Sequence, residues 1–284
     1  MIRWIKSKKA RNIFLAFLFI VGVCLLYAYY EARNIHLRNY VFSHKDIPQS
    51  FDGKTIAFLT DIHTDSDFDR GDLRALVDSV NKLHPDIILM GGDYVSGAKY
   101  IDTFLDEISK LKAKDGVYAV LGNHDHWSGA DKIARGLKKS GIRMMDNQSC
   151  WVRSGTDSIK IGGVGDWWCD ETRIESTVDD ISEKDFCILL SHQPNFVDEL
   201  KSNKIDLILS GHTHAGQITL FGFWAPVMPG QFSQDLITSK HEYRYGWMNK
   251  KDTQLYVSSG IGMGGVPFRF FAHPEVVLIR LKKL

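Results

Sequence analysis

Hydrophobic patterning divides the chain into two regimes. An apolar run without one charged residue extends from Ile13 to Tyr30, whereas from Lys54 onward short apolar runs alternate with amphipathic segments. A helix needs about 17–25 apolar residues to cross a bilayer, so the first run is long enough to span one. Arg3, Lys6, Lys8, Lys9 and Arg11 precede it, and Trp4, Tyr27, Tyr29 and Tyr30 flank it as an aromatic belt would. The pattern predicts a basic cytoplasmic flank at 1–12 and a transmembrane anchor at 13–30. Bulky Leu and Tyr residues around Ala28 disfavour cleavage as a signal peptide, and Val23 disfavours a lipoprotein site at Cys24. Positive charge stays on the cytoplasmic side, which places the large domain outside; Arg33 and Arg38 weaken this bias without reversing it.

Residues 31–53 read as a linker and an edge strand, closing with Pro48 and the turn Asp52-Gly53. Beyond them, the runs Thr55–Thr60, Ile87–Met90, Val117–Leu121, Cys187–Leu190 and Ile205–Leu209 have strand length. Helical spacing marks Leu73–Leu83, Ile101–Leu111 and Lys132–Lys139, and Phe196–Leu200 reads as a short helix. Ile142 to Gly165 predicts two or three strands with Ser154-Gly155-Thr156-Asp157 as a hairpin turn. Tyr243–Trp247, Gln254–Ser259 and Val276–Leu281 read as closing strands. Alternation without internal repeats predicts one α/β domain over 54–284.

Composition narrows the partners. A net charge of +1 gives no polyanion-binding surface, so no nucleic acid is expected. The four cysteines form no C-x-x-C pair, which removes zinc-ribbon and thioredoxin readings. Cys24 and Cys187 lie in apolar runs as buried thiols; Cys150 and Cys169 are left to pair or stay free according to compartment.

Five short motifs carry the candidate chemistry: Asp61-Ile62-His63, Gly92-Asp93, Gly122-Asn123-His124-Asp125, Ser191-His192 and Gly211-His212-Thr213-His214. Each follows a predicted strand, where ligands gather in open α/β sheets. Spacing of two in an extended segment points both side chains of Asp61/His63 and of His212/His214 to one side. A lone strand-end His is more often an ordinary satisfied polar residue. All five in order supply the oxygen and imidazole ligands of a two-metal hydrolytic site.

With these motifs the chain resembles the calcineurin-like metallophosphoesterase superfamily from Lys54 to the C-terminus. It is most similar to the bacterial membrane-anchored or exported phosphodiesterase branch, which includes UDP-2,3-diacylglucosamine pyrophosphatase-like relatives. Gly163-Val164-Gly165-Asp166, Leu190-Ser191-His192-Gln193-Pro194, Gly260-Ile261-Gly262, Pro267-Phe268-Arg269 and Pro274-Glu275 add to the likeness. The resemblance implies a four-layer α-β-β-α sandwich behind one transmembrane helix, in a single-pass protein of the bacterial inner membrane. It implies two divalent ions, with Asp61, His63 and His214 on the first, Asn123, His192 and His212 on the second, and Asp93 bridging. His124 would stand beside the scissile phosphate as proton donor or charge stabiliser, and Asp125 would hold His124 or a ligand loop. Mixed Asp, His and Asn ligation suits manganese, iron or zinc better than calcium. The implied reaction is attack of a metal-activated hydroxide on a phosphodiester or pyrophosphate.

Departures refine this expectation. Ser/Thr protein phosphatases carry arginine where Leu121 stands and a further Asp-Arg where Tyr94-Val95-Ser96 follows Asp93, so protein phosphatase is disfavoured. Asp65, Asp67 and Asp69 imitate a calcium loop, but the turn glycine is one place late at Gly71 and Leu76 occupies the twelfth position. Asp166, Trp167 and Arg269 are candidate substrate contacts; Trp168 has the same stacking chemistry, and His126 neighbours the active loop. Phe221, Phe223, Trp224, Val227 and Met228, among Gly222, Pro226, Pro229 and Gly230, and then Phe268, Phe270 and Phe271, fit either ordinary packing or contact with acyl chains and the bilayer. A lipid-linked substrate is therefore in view. UDP-2,3-diacylglucosamine pyrophosphatase in lipid A synthesis is the runner-up, opposed by an external domain because that nucleotide is cytoplasmic. A non-catalytic, metal-bound scaffold is the rival from another class; retention of His124 and the full ligand set opposes it.

Overall fold

The computed structural model describes residues 8–226, 228 and 243–284. Its first element, α1 (Lys8–Glu31), is long and apolar enough to cross a membrane. Its side chains are uncovered around the whole helix, and only Ala28 and Glu31 are buried. Such an all-round apolar surface is what a helix surrounded by lipid requires. Cys24 is accordingly exposed on α1, contrary to the buried thiol expected there, while Cys187 is buried; all four cysteines are free. Only residues 32–35 separate α1 from β1 (His36–His44).

The domain then runs β2 (Thr55–Leu59), α2 (Arg70–Lys82), β3 (Ile87–Met90), α3 (Ile101–Ile108), β4 (Val117–Ala119), α4 (Asn123–Lys139) and β5 (Arg143–Met144). Its second half comprises β6 (Gln148–Ser154), β7 (Asp157–Gly163), α5 (Glu175–Val178), β8 (Cys187–Leu190), β9 (Leu207–Ser210), β10 (Gly246–Lys250), β11 (Thr253–Val257) and β12 (Glu275–Lys283). Two six-stranded sheets result, in the orders β1-β12-β2-β3-β4-β5 and β10-β11-β9-β8-β7-β6. The first is parallel from β2 to β5, with β12 antiparallel to β2 and β1 parallel to β12 at the edge. In the second, β7, β8, β9 and β11 are mutually parallel between antiparallel edge strands β6 and β10.

Period-two alternation divides the strand residues between layers. Ile56, Phe58, Ile87 and Leu89 of the first sheet meet Ile159, Ile161, Ile188, Leu190, Leu207 and Leu209 of the second in one core. Ala57, Leu59, Ile88 and Met90 face the opposite way, onto Leu73, Val77 and Val80 of α2, Phe104 and Ile108 of α3, and Ile133 and Leu137 of α4. Cys187, Leu189 and Ile208 face the outer side of the second sheet, onto Ile181, Phe196 and Val197. The layering is α-β-β-α, with the last layer thin among the described residues.

Several boundaries differ from the expectation. The middle hairpin turns at Gly155-Thr156, with Ser154 paired to Asp157, but β5 belongs to the first sheet, so the chain changes sheets between Met144 and Gln148. The helix expected at Lys132–Lys139 begins at Asn123 and breaks at Gly129 (φ 137°). The short helix expected at Phe196–Leu200 is a 3-10 turn at Pro194–Asp198, and the strand expected at Tyr243–Trp247 occupies Gly246–Lys250. Val227, Pro229 and Gly230 lie outside the described residues. The acidic loop caps a helix: Asp69 accepts hydrogen bonds from Gly71 N and Asp72 N, and Asp72 accepts from Asp69 N.

Candidate active site

Every motif emerges beyond the carboxyl end of a strand: Asp61 and His63 after β2, Asp93 after β3, Asn123 after β4, His192 after β8, and His212 and His214 after β9. The two sheets therefore deliver their polar residues to one rim. The segments interlock through Asp61 N donating to Gly92 O (2.9 Å), His63 N to Asp93 O (3.0 Å) and Gly211 N to His192 O (3.0 Å).

The local conformation is not the extended one expected. Asp61, His63, Asp93, His212 and His214 all have left-handed backbones, with φ between 48° and 68°. Each such position costs about 1–3 kcal/mol and persists only where its surroundings enforce it. The residues of each spaced pair converge through these turns, not through strand periodicity. Close backbone approach adds a further constraint: a Cβ on Gly211 would lie 2.1 Å from Asp61 Oδ2.

Three groups of ligand atoms overlap: Asp61, His63 and His214; His63, Asp93 and His124; and Asp93, His192 and His212. Within each group the atoms lie within 4.8 Å of one another. His63 Nε2 is 3.1 Å from His214 Nε2 and 3.5 Å from Asp93 Oδ2. His192 Nε2 is 3.2 Å from Asp93 Oδ2 and 3.3 Å from His212 Nδ1, and His214 Nε2 is 3.4 Å from Asp61 Oδ1. Burial lowers His63 and His212 to about 3 and His214 well below its usual value, leaving neutral imidazoles that can ligate a cation. Burial raises Asp61 to about 6. For His192 burial acts downward, yet the adjoining Asp93 carboxylate carries it to about 10.

The donor set fits divalent cations on two observations. Asn123 Oδ1 is buried with no hydrogen-bond partner, a costly state unless something positive meets it. His192 Nδ1 donates to Gly91 O (2.8 Å), which turns Nε2 toward the Asp93 carboxylate at 3.2 Å. That gap is filled by a proton in this structure, and a divalent cation would take the proton's place.

Around these atoms the other candidates take distinct places. His124 is half-buried, its backbone N donates to Asp93 Oδ1 (2.8 Å), and its ring stands edge-on to His63 at 4.7 Å. Asp125 is fully buried and accepts from Asp93 N, Tyr94 N and Gly122 N at 2.8–3.0 Å. It thus ties the loop after β3 to the start of α4 and sits where a helix N-terminus favours negative charge.

Asp166 and Arg269, expected to touch substrate, are fully buried and spend their polar atoms on the protein. Asp166 accepts from Trp168 N, Cys169 N and Gln193 Nε2. Arg269 donates to Ser259 O, Gly262 O and Ala272 O, and its Nη2 lies 3.3 Å from His214 Nδ1, behind that imidazole. Trp167 packs on Phe196, whereas its neighbour Trp168 is exposed and edge-on to His212 at 4.7 Å. Trp127, also exposed, faces the His124 ring at 4.8 Å. Sequence reasoning missed Ser96 and gave Asp65 no partner. Ser96 Oγ is 3.4 Å from His63 Nδ1 and donates to Asp65 Oδ2 (3.1 Å), an arrangement that holds the imidazole. No local pattern marks such a pairing across 31 residues.

Comparison with known proteins gives the same picture. A family model described as calcineurin-like phosphoesterase matches residues 54–216. An uncharacterized metallophosphoesterase of Helicobacter pylori is 33% identical over 234 residues, covering 80% of this chain and 59% of that protein. The uncharacterized metallophosphoesterase YkuE of Bacillus subtilis is 28% identical over 260 residues, covering 89% of this chain and 88% of its own length. A transmembrane protein with metallophosphoesterase domain from Danio rerio is 28% identical over 251 residues, covering 84% of this chain and 55% of that protein. The chain therefore spans less than two thirds of the Helicobacter and Danio proteins. The family model covers more than half of the chain and spans the clustered Asp and His residues at the rim, so this chain belongs to the calcineurin-like phosphoesterase family.

Proposed function

We propose that the protein is a membrane-anchored, metal-dependent phosphohydrolase that cleaves a phosphodiester or pyrophosphate bond, with a lipid-linked molecule as the finer reading of its substrate. One observation carries this reading: three potential metal-binding groups overlap at His63 and Asp93, with His124 at their edge. Asp61, His63 and His214 would hold one divalent ion, Asn123, His192 and His212 a second, and Asp93 would serve both. Manganese, zinc or iron suits these donors. When bound, the ions supply positive charge for the phosphoryl oxygens and lower the pKa of water.

The chain's own residues do the rest. His124, held through its backbone by Asp93, presents its ring to the leaving oxygen as proton donor or charge stabiliser. Asp125 acts through position, fixing the backbone of Gly122, Asp93 and Tyr94 so that ligands from two strands stay in register. Gly91 O holds His192 in the tautomer that frees Nε2, and Ser96 orients His63. Trp127 beside His124 and Trp168 beside His212 provide exposed faces for a substrate's non-reacting part. With the N-terminus cytoplasmic, the catalytic domain works outside the inner membrane.

The test uses the full chain in detergent with Mn²⁺ and bis-p-nitrophenyl phosphate. His124→Ala should lower kcat by roughly 10²–10⁴ while metal content is retained. A wild type that stays inert with manganese, zinc and iron would favour the scaffold reading. Mass spectrometry of products from UDP-2,3-diacylglucosamine, cyclic dinucleotides and lipid phosphates then ranks the substrates.

A further inference from the structure

The end of α1 is built into the domain. Arg269 N donates to Ala28 O (3.1 Å), and Phe271 N and Ala272 N donate to the two oxygens of Glu31 (3.0 and 2.6 Å), whose side chain is buried. Tyr27 meets Phe270 edge-on at 5.5 Å and Phe271 at 5.4 Å, and Phe271 meets Phe221 at 5.2 Å. Thr219 N donates to Phe270 O, which joins the 218–224 segment to the same stack. Beside it lies an exposed apolar cluster of Leu220, Phe221, Phe223 and Trp224, with Phe223 89% exposed.

The anchor fixes the height of this cluster. A rise of 1.5 Å per residue puts Tyr27 roughly 4–5 Å inside the end of the Ile13–Tyr30 run, at the boundary between hydrocarbon and headgroups. Rings in contact with Tyr27 share that depth, and the tie through Glu31 keeps them there. Exposed aromatic rings are costly in water and favoured in this layer. The cluster is also continuous with the metal-binding rim. It begins just after His214, and Gln217 Oε1 accepts from Gly264 N (2.9 Å), where a Cβ would lie 3.3 Å from His214 Nε2.

We propose that the 218–224 turn and the Phe270-Phe271 pair form a membrane-seating surface that enters the headgroup layer beside α1. The site then opens at the bilayer surface and takes phosphoesters borne on bilayer lipids. The seating rests on α1 as the span; only the substrate arm rests on the phosphohydrolase reading. This extends that reading from a lipid-linked substrate to the residues that present it.

The full chain reconstituted in phosphatidylcholine vesicles tests both arms. Brominated acyl chains should quench wild-type tryptophan emission more than that of Trp224→Phe, and aqueous iodide should not reach Trp224. Trp224 quenched by iodide alone overturns the seating; shielding from both quenchers assigns the surface to a protein partner or a second copy and overturns it equally. In the same vesicles, Phe221→Ser/Phe223→Ser should lose roughly tenfold in turnover of the p-nitrophenyl ester of a diacyl phosphatidic acid and keep bis-p-nitrophenyl phosphate turnover. Equal loss on both substrates refutes the proposal. Wild type inactive on bis-p-nitrophenyl phosphate sinks the phosphohydrolase reading while the quenching result stands by itself.

Discussion

Asn123 shows most directly what a single residue contributes. Its side-chain oxygen is buried without a partner, whereas ordinary packing would have matched it with a donor. Asn123→Ala should therefore bind one equivalent of metal less by elemental analysis and lose on the order of 10²-fold or more in kcat; unchanged metal content would remove Asn123 from the ligand set. Gly211 makes the complementary case, since its Cα sits against the Asp61 carboxylate and His212 N donates to both carboxylate oxygens at 3.0 Å. Gly211→Ala should displace Asp61 and weaken metal binding by titration, although the new methyl group carries no chemistry. The metal-binding candidates were legible in the sequence because five motifs rich in Asp, His and Asn recur in order at the ends of apolar runs. Their left-handed backbones were not, because an isolated residue gains nothing from that conformation and only the interlocked loops enforce it. Arg269 was read as a candidate substrate contact, and sequence could not say that its charge is turned inward toward His214.

At the scale of elements, two buried carboxylates decide how helices sit. Glu107 of α3 is buried and bonded to Arg70 and Arg74 of α2 and to Lys110. Hydrogen bonds from Arg74 and then Lys110 hold it down to about 2. A folded-state pKa below the unfolded value of about 4.3 contributes stability that is complete above that value and fades as pH falls through about 2. Glu107→Gln should lower Tm at neutral pH, and the gap from wild type should close toward pH 2; a gap constant with pH would assign the effect to packing. Glu31 joins α1 to the segment that also positions His214. Glu31→Ala leaves the N–H groups of Phe271 and Ala272 unmatched, at about 1–3 kcal/mol for the buried one at Ala272, so amide exchange at both should rise; unchanged exchange there would show that the junction is held by other contacts. The strands and α2 stood out through their periodicity. The break at Gly129 and the early start of α4 did not, because the first turn of that helix is polar and made of site residues.

For the whole molecule, the candidate metal-binding groups lie along a seam. Asp61, His63, Asp93 and Asn123 come from loops of the first sheet, and His192, His212 and His214 from the second. Cations held between them should therefore stabilise the pairing of the two sheets. Chelation should lower Tm by several degrees and Mn²⁺ should restore it; a Tm indifferent to chelator would mean that the packed core alone joins them. Read with no tertiary contacts, the chain already determined its long apolar helix, its alternating α/β architecture and the chemical identity of its candidate ligands, because run length, period and residue type are local properties. Tertiary structure decided which candidate ligands cluster, which charges turn inward and where the apolar helix joins the domain. His63 and His214 stand 151 residues apart and meet at 3.1 Å; Glu31 and Ala272 stand 241 apart and meet at 2.6 Å. Such meetings depend on sheet order and on the packing of one layer over another, which no window along the chain contains.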